Sequence, residues 1–137
     1  MRIAVIDGQG GGIGKALVEK LRKEFADKVQ IIALGTNAMA ATLMIKSGAD
    51  EGASGENAII YNASKVDVIT GPIGIITANS MLGELSPNMA AAISESSAKK
   101  VLIPLNRCNV AIAGIKDESL PMLIDDAIAI IRNYTQK

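Results

Sequence analysis

The chain has 137 residues with 14 basic and 14 acidic side chains, so we expect one domain without the basic excess of nucleic-acid-binding proteins. Hydrophobic residues make up 49% of the chain but aromatic residues only 2%, which argues against an aromatic platform for single-stranded nucleic acid. The absence of histidine excludes Ser-His-Asp catalysis, and the single cysteine, Cys108, excludes an internal disulfide.

The chain begins with a predicted strand, Ile3 to Ile6, which is followed by a glycine-rich loop and a helix that ends near Ala26. The strand is apolar on both faces, as is typical of a parallel sheet that is covered on both sides. The helix carries one apolar stripe at helical spacing, formed by Ile13, Leu17, Val18, Leu21 and Phe25. This order predicts the first half of a βαβ unit.

Five glycines lie within the seven positions of the loop, namely Gly8, Gly10, Gly11, Gly12 and Gly14. Glycine is costly in conformational entropy, so a run of this kind indicates close approach of the backbone to a ligand. A loop that opens a helix presents free N–H groups at the positive end of the helix dipole, and these bind anions. We therefore predict that the loop, with Ile13, binds a nucleotide phosphate through its amides from position 10 to position 14. The alternative is a tight turn that only lets helix and strand pack closely.

The glycine spacing fits neither the dinucleotide pattern G-x-G-x-x-G nor the P-loop. It fits Gly8-x-x-x-Gly12-x-Gly14 with Ile13 inside, and this resembles the loop of short-chain dehydrogenase/reductases. The resemblance implies NAD(P) as the cofactor. Asp7 stands where that family usually has a neutral residue. We expect Asp7 to hold the loop through backbone N–H groups, with a magnesium ion as the alternative partner.

A second strand is predicted from Val29 to Leu34. Dinucleotide-binding folds usually carry an acidic residue near this point, which holds the adenosine ribose. The residues that follow this strand include no acid, so neither NAD nor NADP is favoured. Thr36 or Asn37 could instead hydrogen-bond a ribose or a phosphate, or either could simply cap the next helix.

The next predicted helix, Asn37 to Ser47, has one charged residue and is apolar all round. This predicts burial on more than one side, with a second subunit of a homodimer or higher homo-oligomer on the outer side. Residues 47–55 have the composition of a loop, and a third helix is predicted to run to about Ser64.

Tyr61 and Lys65 lie four residues apart and therefore share a helix face. Y-x-x-x-K resembles the catalytic pair of short-chain dehydrogenases, in which the lysine lowers the pKa of the phenol and the tyrosine moves a proton. The pair arrives too early in the chain for that family, and a chance pair is the alternative.

A third strand, Val66 to Thr70, ends in a Gly-Pro segment. If this strand is parallel to the first, its loop opens at the edge of the sheet that carries the glycine loop. Thr70 and Gly71, with Gly74 and Thr77, are then predicted to supply contacts to the second half of a ligand, and a turn without a ligand is the alternative. Residues 75–78 are predicted to be extended.

The last third of the chain holds a predicted helix from Ser86 to Ala98 and a strand from Val101 to Leu105. A turn that contains Arg107, a possible anion contact, leads to a fifth strand, Val110 to Ala113. So short a connection predicts a β-hairpin. The final helix is predicted over Ser119 to Tyr134.

These elements predict one three-layer α/β domain over residues 1–137, Rossmann-like and mostly parallel, with strand order 3-2-1-4-5 and a C-terminal β-hairpin. The chain also resembles a small stand-alone bacterial family of Rossmann-like proteins of unknown function, through Asp7–Lys15, Ala33–Asn37, Thr70–Thr77 and Val101–Ala113. That resemblance implies no activity.

The leading hypothesis is a cytoplasmic module that binds a nucleotide or dinucleotide phosphate, with no membrane or nucleic-acid partner. One alternative is a minimal NAD(P) oxidoreductase that uses Tyr61 and Lys65. The other is a non-catalytic structural or regulatory homo-oligomer.

Overall fold

The computed structural model describes residues 1–105 and 109–136. In these residues the strands are β1 (Arg2–Asp7), β2 (Gln30–Gly35), β3 (Glu51–Ser54), β4 (Val68–Pro72) and β5 (Lys99–Ile103). The α-helices are α1 (Gly12–Phe25), α2 (Ala38–Lys46), α3 (Glu56–Ala63), α4 (Pro87–Glu95) and α5 (Leu120–Thr135). Two short 3₁₀ turns lie between β4 and α4, at Ile73–Ile76 and Met81–Gly83.

The five strands form one parallel sheet in the order β3-β2-β1-β4-β5. The chain moves outward from β1 through β2 to β3, and then returns to the other side of β1 to form β4. The connections after β1 and β4 therefore diverge, which opens a crevice at the carboxyl ends of these two strands. The fold confirms the predicted three-layer α/β class. It also places the glycine loop, which follows β1, at this crevice.

Alternate residues of β1 face opposite layers of the molecule. Ile3 and Val5 pack in the layer that holds α1, α2 and α5. Ala4 and Ile6 pack against α3 and α4. All four side chains are fully buried, which explains why the strand is apolar throughout.

The predicted loop over residues 47–55 contains strand β3, which pairs with β2. Its sequence, Glu51 to Ser54, has no apolar alternation, because the strand lies at an edge and is largely exposed. Gly52 lets α2 approach, since a Cβ there would lie 2.7 Å from Ile45 Cδ1. The predicted order placed the strand near residue 68 beside β2, which is wrong: β3 takes that position, and β4 lies beside β1.

The predicted C-terminal hairpin is also wrong. Strand β5 begins at Lys99, directly after the predicted end of the helix at Ala98, and it pairs in parallel with β4. Of the described residues, 109–119 contain no strand, and Ile112 and Ile115 are exposed. The turn with Arg107 and Cys108 lies outside the described residues. The extended segment predicted over 75–78 is instead partly a 3₁₀ turn, Ile73–Ile76.

Candidate functional site

Asp7 organises the loop between β1 and α1. It is the last residue of β1 and is buried, at 4% exposed. Its Oδ1 accepts the Gly8 N–H at 2.8 Å, and its Oδ2 accepts the Gly14 N–H at 2.7 Å. Because Gly11 at the N-cap has no side chain, Asp7 supplies the cap that helix α1 needs. The predicted loop-holding role of Asp7 is confirmed.

Packing and backbone conformation explain three of the five loop glycines. A Cβ on Gly8 would lie 2.4 Å from Thr36 Oγ1, and one on Gly14 would lie 2.4 Å from Met44 Sδ. Gly11 has a φ of 74°, the left-handed region that favours glycine. These three glycines are therefore required by the fold itself.

Gly10 and Gly12 have no such explanation. Neither has a φ in the left-handed region, and a Cβ on either would meet no atom of the described residues within 4 Å. Both residues are exposed and border open space. The tight-turn alternative accordingly accounts for Gly8, Gly11 and Gly14, but it leaves Gly10 and Gly12 without a structural reason.

Only part of the loop can donate hydrogen bonds to a ligand. The Gly11 N–H donates to Gly8 O, and the Gly14 N–H donates to Asp7. The amides of Gly10, Gly12 and Ile13 have no acceptor among the described residues. The predicted run of amides from position 10 to position 14 is thus reduced to these three, which lie at or beside the positive end of α1.

These amides border a cleft of about 700 Å³. Its walls come from the glycine loop, from Pro72 at the end of β4 and Gly74 beyond it, from the turn at Ser80–Leu82, and from Leu105 and Leu120. The cleft lies at the carboxyl ends of β1 and β4, which is where open α/β sheets bind ligands. Its size is within the range of small-molecule sites.

Two predicted ligand contacts, Thr70 and Gly71, are buried inside β4 and are not among the described residues that line the cleft. A Cβ on Gly71 would lie 2.1 Å from Ile6 O, so the glycine serves the packing of β4 on β1. The Thr70 hydroxyl is buried, and it has no hydrogen-bond partner among the described residues. Pro72, the last residue of β4, and Gly74 beyond it line the cleft instead.

Thr36 and Asn37, the predicted ribose contacts, bind a carboxylate that the sequence reading did not single out. Glu84 Oε1 accepts from Thr36 Oγ1 at 2.7 Å, from Asn37 Nδ2 at 2.8 Å and from the Gln9 N–H at 2.9 Å. Asn37 also caps α2, because its Oδ1 accepts the Ala40 N–H. The helix-cap alternative for Asn37 is therefore confirmed.

The three hydrogen bonds hold Glu84 as a carboxylate. The bond from the Thr36 hydroxyl is the largest cause that lowers the pKa of Glu84 below 4.5, followed by the bond from the Gln9 backbone. Glu84 is 48 residues beyond Thr36 in the chain, in a segment with the composition of a loop. No local pattern in the sequence could have identified it.

Tyr61 and Lys65 are not brought to the cleft. The Lys65 carbonyl accepts from the Arg2 guanidinium, at the start of β1, whereas the glycine loop follows the end of that strand. The six residues of β1 separate the two edges of the sheet by roughly 16 Å. Lys65 Nζ lies 3.9 Å from the centroid of the Tyr61 ring and bonds the Tyr61 carbonyl, so it does not engage the phenol oxygen.

Metal ligation has no cluster to support it in the described part of the chain, where no three His, Cys, Asp or Glu side chains converge. Both Asp7 oxygens accept backbone N–H groups, as the geometry above shows. Among the described helices, none has the length and apolar character needed to cross a membrane.

A family model described as "Domain of unknown function (DUF3842)" matches residues 2–136. No curated protein sequence matches the chain. Among solved structures, the crystal structure of a dodecameric FMN-dependent UbiX-like decarboxylase from Escherichia coli O157:H7 matches with a TM-score of 0.53 and 17% identity. The match covers 100% of this chain and 96% of that chain. At this identity the likeness indicates the fold alone, and neither finding supports the resemblance to short-chain dehydrogenases.

Proposed function

The chain belongs to this family of unknown function, and on that premise we propose that it binds a nucleotide-type phosphate ligand at the glycine loop. The phosphate accepts hydrogen bonds from the amides of Gly10, Gly12 and Ile13. The remainder of the ligand lies in the cleft between the loop and the Met81–Leu82 turn. An anion at the start of α1 is also favoured by the helix dipole.

One observation carries this proposal: within the described part of the chain, nothing in the fold requires glycine at position 10 or position 12. Glycine at an unstrained, unpacked position costs conformational entropy and returns no stability. A phosphate that approaches the backbone closely supplies the missing reason, since a Cβ at either position would project towards it. The structural neighbour is described as FMN-dependent, and FMN is itself a nucleotide-type phosphate.

The test is a thermal-shift screen of the wild-type protein against FMN, FAD, NAD, NADP, ATP, GTP, S-adenosylmethionine and inorganic phosphate, with and without magnesium. A ligand at about 100 times its Kd stabilises the folded state by about 2.7 kcal/mol. We expect at least one phosphate-bearing compound to raise Tm, and calorimetry then to give its Kd.

Two variants test whether the ligand binds at the glycine loop. Gly12→Ala and Gly10→Ala place a methyl group in the open space beside the free amides, and we expect each to weaken binding at least tenfold. Lys23→Ala, which is exposed near the other end of α1, is the matched control and keeps the wild-type Kd. Wild-type affinity in both glycine variants would remove the proposed site from the loop.

We also propose that the chain self-associates through the outer face of α2. On this helix Met39 is 71% exposed and Ile45 is 40% exposed, and exposed apolar surface of this kind is a candidate for an interface. The structural neighbour is described as dodecameric. Light scattering after size exclusion gives the mass of the wild-type particle, and Met39→Lys is expected to reduce it. A wild-type monomer contradicts this assembly without affecting the ligand site.

A further inference from the structure

We propose that Glu84 restricts this site to ligands with a single nucleotide unit and excludes dinucleotides such as NAD and FAD. The inference rests on the proposed function, because it concerns the same glycine loop. It deepens that function by naming the ligand class and the residue that selects it.

In Rossmann-like dinucleotide sites, the pyrophosphate lies on the glycine loop and one nucleoside lies at the end of the second strand. In this chain the end of β2 is followed by Thr36 and Asn37. Both side chains donate to Glu84 Oε1, at 2.7 and 2.8 Å. The groups that could bind a ribose there are therefore already engaged by a carboxylate of the same molecule.

Hydrogen bonds from three residues hold the Glu84 carboxylate in position. Its Oε1 also accepts the Gln9 N–H of the glycine loop, so Glu84 joins the loop to the end of β2. A Cβ on Gly8 would lie 3.2 Å from this oxygen and 2.4 Å from Thr36 Oγ1, so only glycine at position 8 gives these groups room. The chain approaches Glu84 through Met81 and Leu82, whose φ values of 58° and 57° are costly for residues with side chains.

The open volume is lined by a different set of residues. Pro72, Gly74 and Leu105 line the cleft, whereas Thr36, Asn37 and Glu84 are not among its described lining residues. The cleft can hold one nucleoside with its phosphate on the loop. A second nucleoside would have to displace Glu84 from three hydrogen bonds, and a second phosphate would approach a carboxylate of like charge.

The experiment is calorimetric titration of the full chain with two matched pairs, FMN with FAD and nicotinamide mononucleotide with NAD. In each pair the dinucleotide contains the mononucleotide and adds AMP. We expect the mononucleotide of any pair that binds to bind at least tenfold more tightly than its dinucleotide. This comparison needs no variant, so it does not depend on how a substitution folds.

Glu84→Ala then tests the residue itself. We expect the variant to bind the dinucleotide more tightly and to reduce the preference below threefold, with circular dichroism to establish that it is folded. Glu95→Ala, which removes an exposed acid from the end of α4, is the matched control and keeps the wild-type preference.

The outcomes separate this inference from the proposed function. Equal affinity for both members of a pair overturns the exclusion of dinucleotides and leaves phosphate binding intact. A wild-type preference that persists unchanged in folded Glu84→Ala overturns the role of Glu84. If no member of either pair binds, and no other compound of the thermal-shift screen binds either, the proposed function fails and the inference fails with it.

Discussion

We expect alanine to change the thermal stability in opposite directions at two glycines of the loop, Gly12 and Gly14. In Gly14→Ala the new methyl would lie 2.4 Å from Met44 Sδ and 2.9 Å from Asp7 Cβ. Met44 is fully buried and Asp7 is 4% exposed, so neither can move into solvent. Overpacking of this kind costs about 1–3 kcal/mol of unfolding free energy.

Gly12→Ala meets no atom within 4 Å among the described residues, and the backbone at position 12 lies outside the left-handed region. Replacement of glycine by alanine at a compatible position stabilises a protein by about 0.4–1 kcal/mol, since the unfolded chain loses freedom. For a chain of this length, 1 kcal/mol corresponds to roughly 3–5 °C in Tm.

Thermal unfolding followed by circular dichroism, without ligand, measures both effects. We expect Gly14→Ala to lower Tm by about 3–15 °C and Gly12→Ala to raise it by about 1–5 °C. The reasoning is refuted if Gly12→Ala lowers Tm as much as Gly14→Ala does. The fold would then require glycine at position 12, and the argument that a ligand requires it would no longer hold.

Three further predictions concern buried or hydrogen-bonded polar groups. Asp7→Asn leaves one acceptor oxygen for two loop amides, and we expect a loss of about 1–3 kcal/mol in urea unfolding; an unchanged midpoint would contradict the capping role. Thr70→Val removes a buried hydroxyl without a partner among the described residues and is expected to stabilise by about 1 kcal/mol, whereas a loss of that size would indicate a partner for the hydroxyl. The pKa of Asp50 is lowered below 3.8, chiefly by the Ile31 N–H, and that of Glu84 is lowered below 4.5. Their stabilisation is therefore full above pH 4.5 and is lost as pH falls through the lowered values, so unfolding free energy that stays constant as pH falls from 4.5 to well below 3.8 would contradict it.

The sequence predicted the fold class because β1, β2 and β4 are apolar runs and α1 and α5 have clear helical periodicity. The prediction from sequence was wrong for segments that lack an apolar run or helical periodicity, and for one apolar run that forms no strand. Strand β3 is four residues of small or polar character at an edge, and no pattern distinguishes it from a loop. The apolar run at 110–113 had the pattern of a strand, yet Ile112 is exposed and forms no ladder.

The glycine loop and the edge of the sheet that holds it could be predicted, because both follow from local spacing and from the parallel order. The contacts of the loop could not be predicted. Glu84 reaches Thr36 and Asn37 only through tertiary structure, and nothing within 40 residues of Thr36 indicates the pairing. The same limit applied to Tyr61 and Lys65, whose spacing fitted a motif. Tyr61 lies in the last turn of α3 and Lys65 follows that helix, at the opposite edge of the sheet.

Some amides of the glycine loop are hydrogen-bonded within the protein and others are not, so we expect their protons to exchange with solvent at different rates. The Gly14 N–H is held by a buried carboxylate, so its exchange with deuterium requires that the start of α1 opens. The protons of Gly10, Gly12 and Ile13 have no acceptor among the described residues, and we expect them to exchange faster than that of Gly14. A compound that binds the loop will slow these three, and it will slow Gly14 as well, because it stabilises the closed start of α1. Residue-resolved exchange can therefore show which compounds bind the loop even if the protein catalyses no reaction.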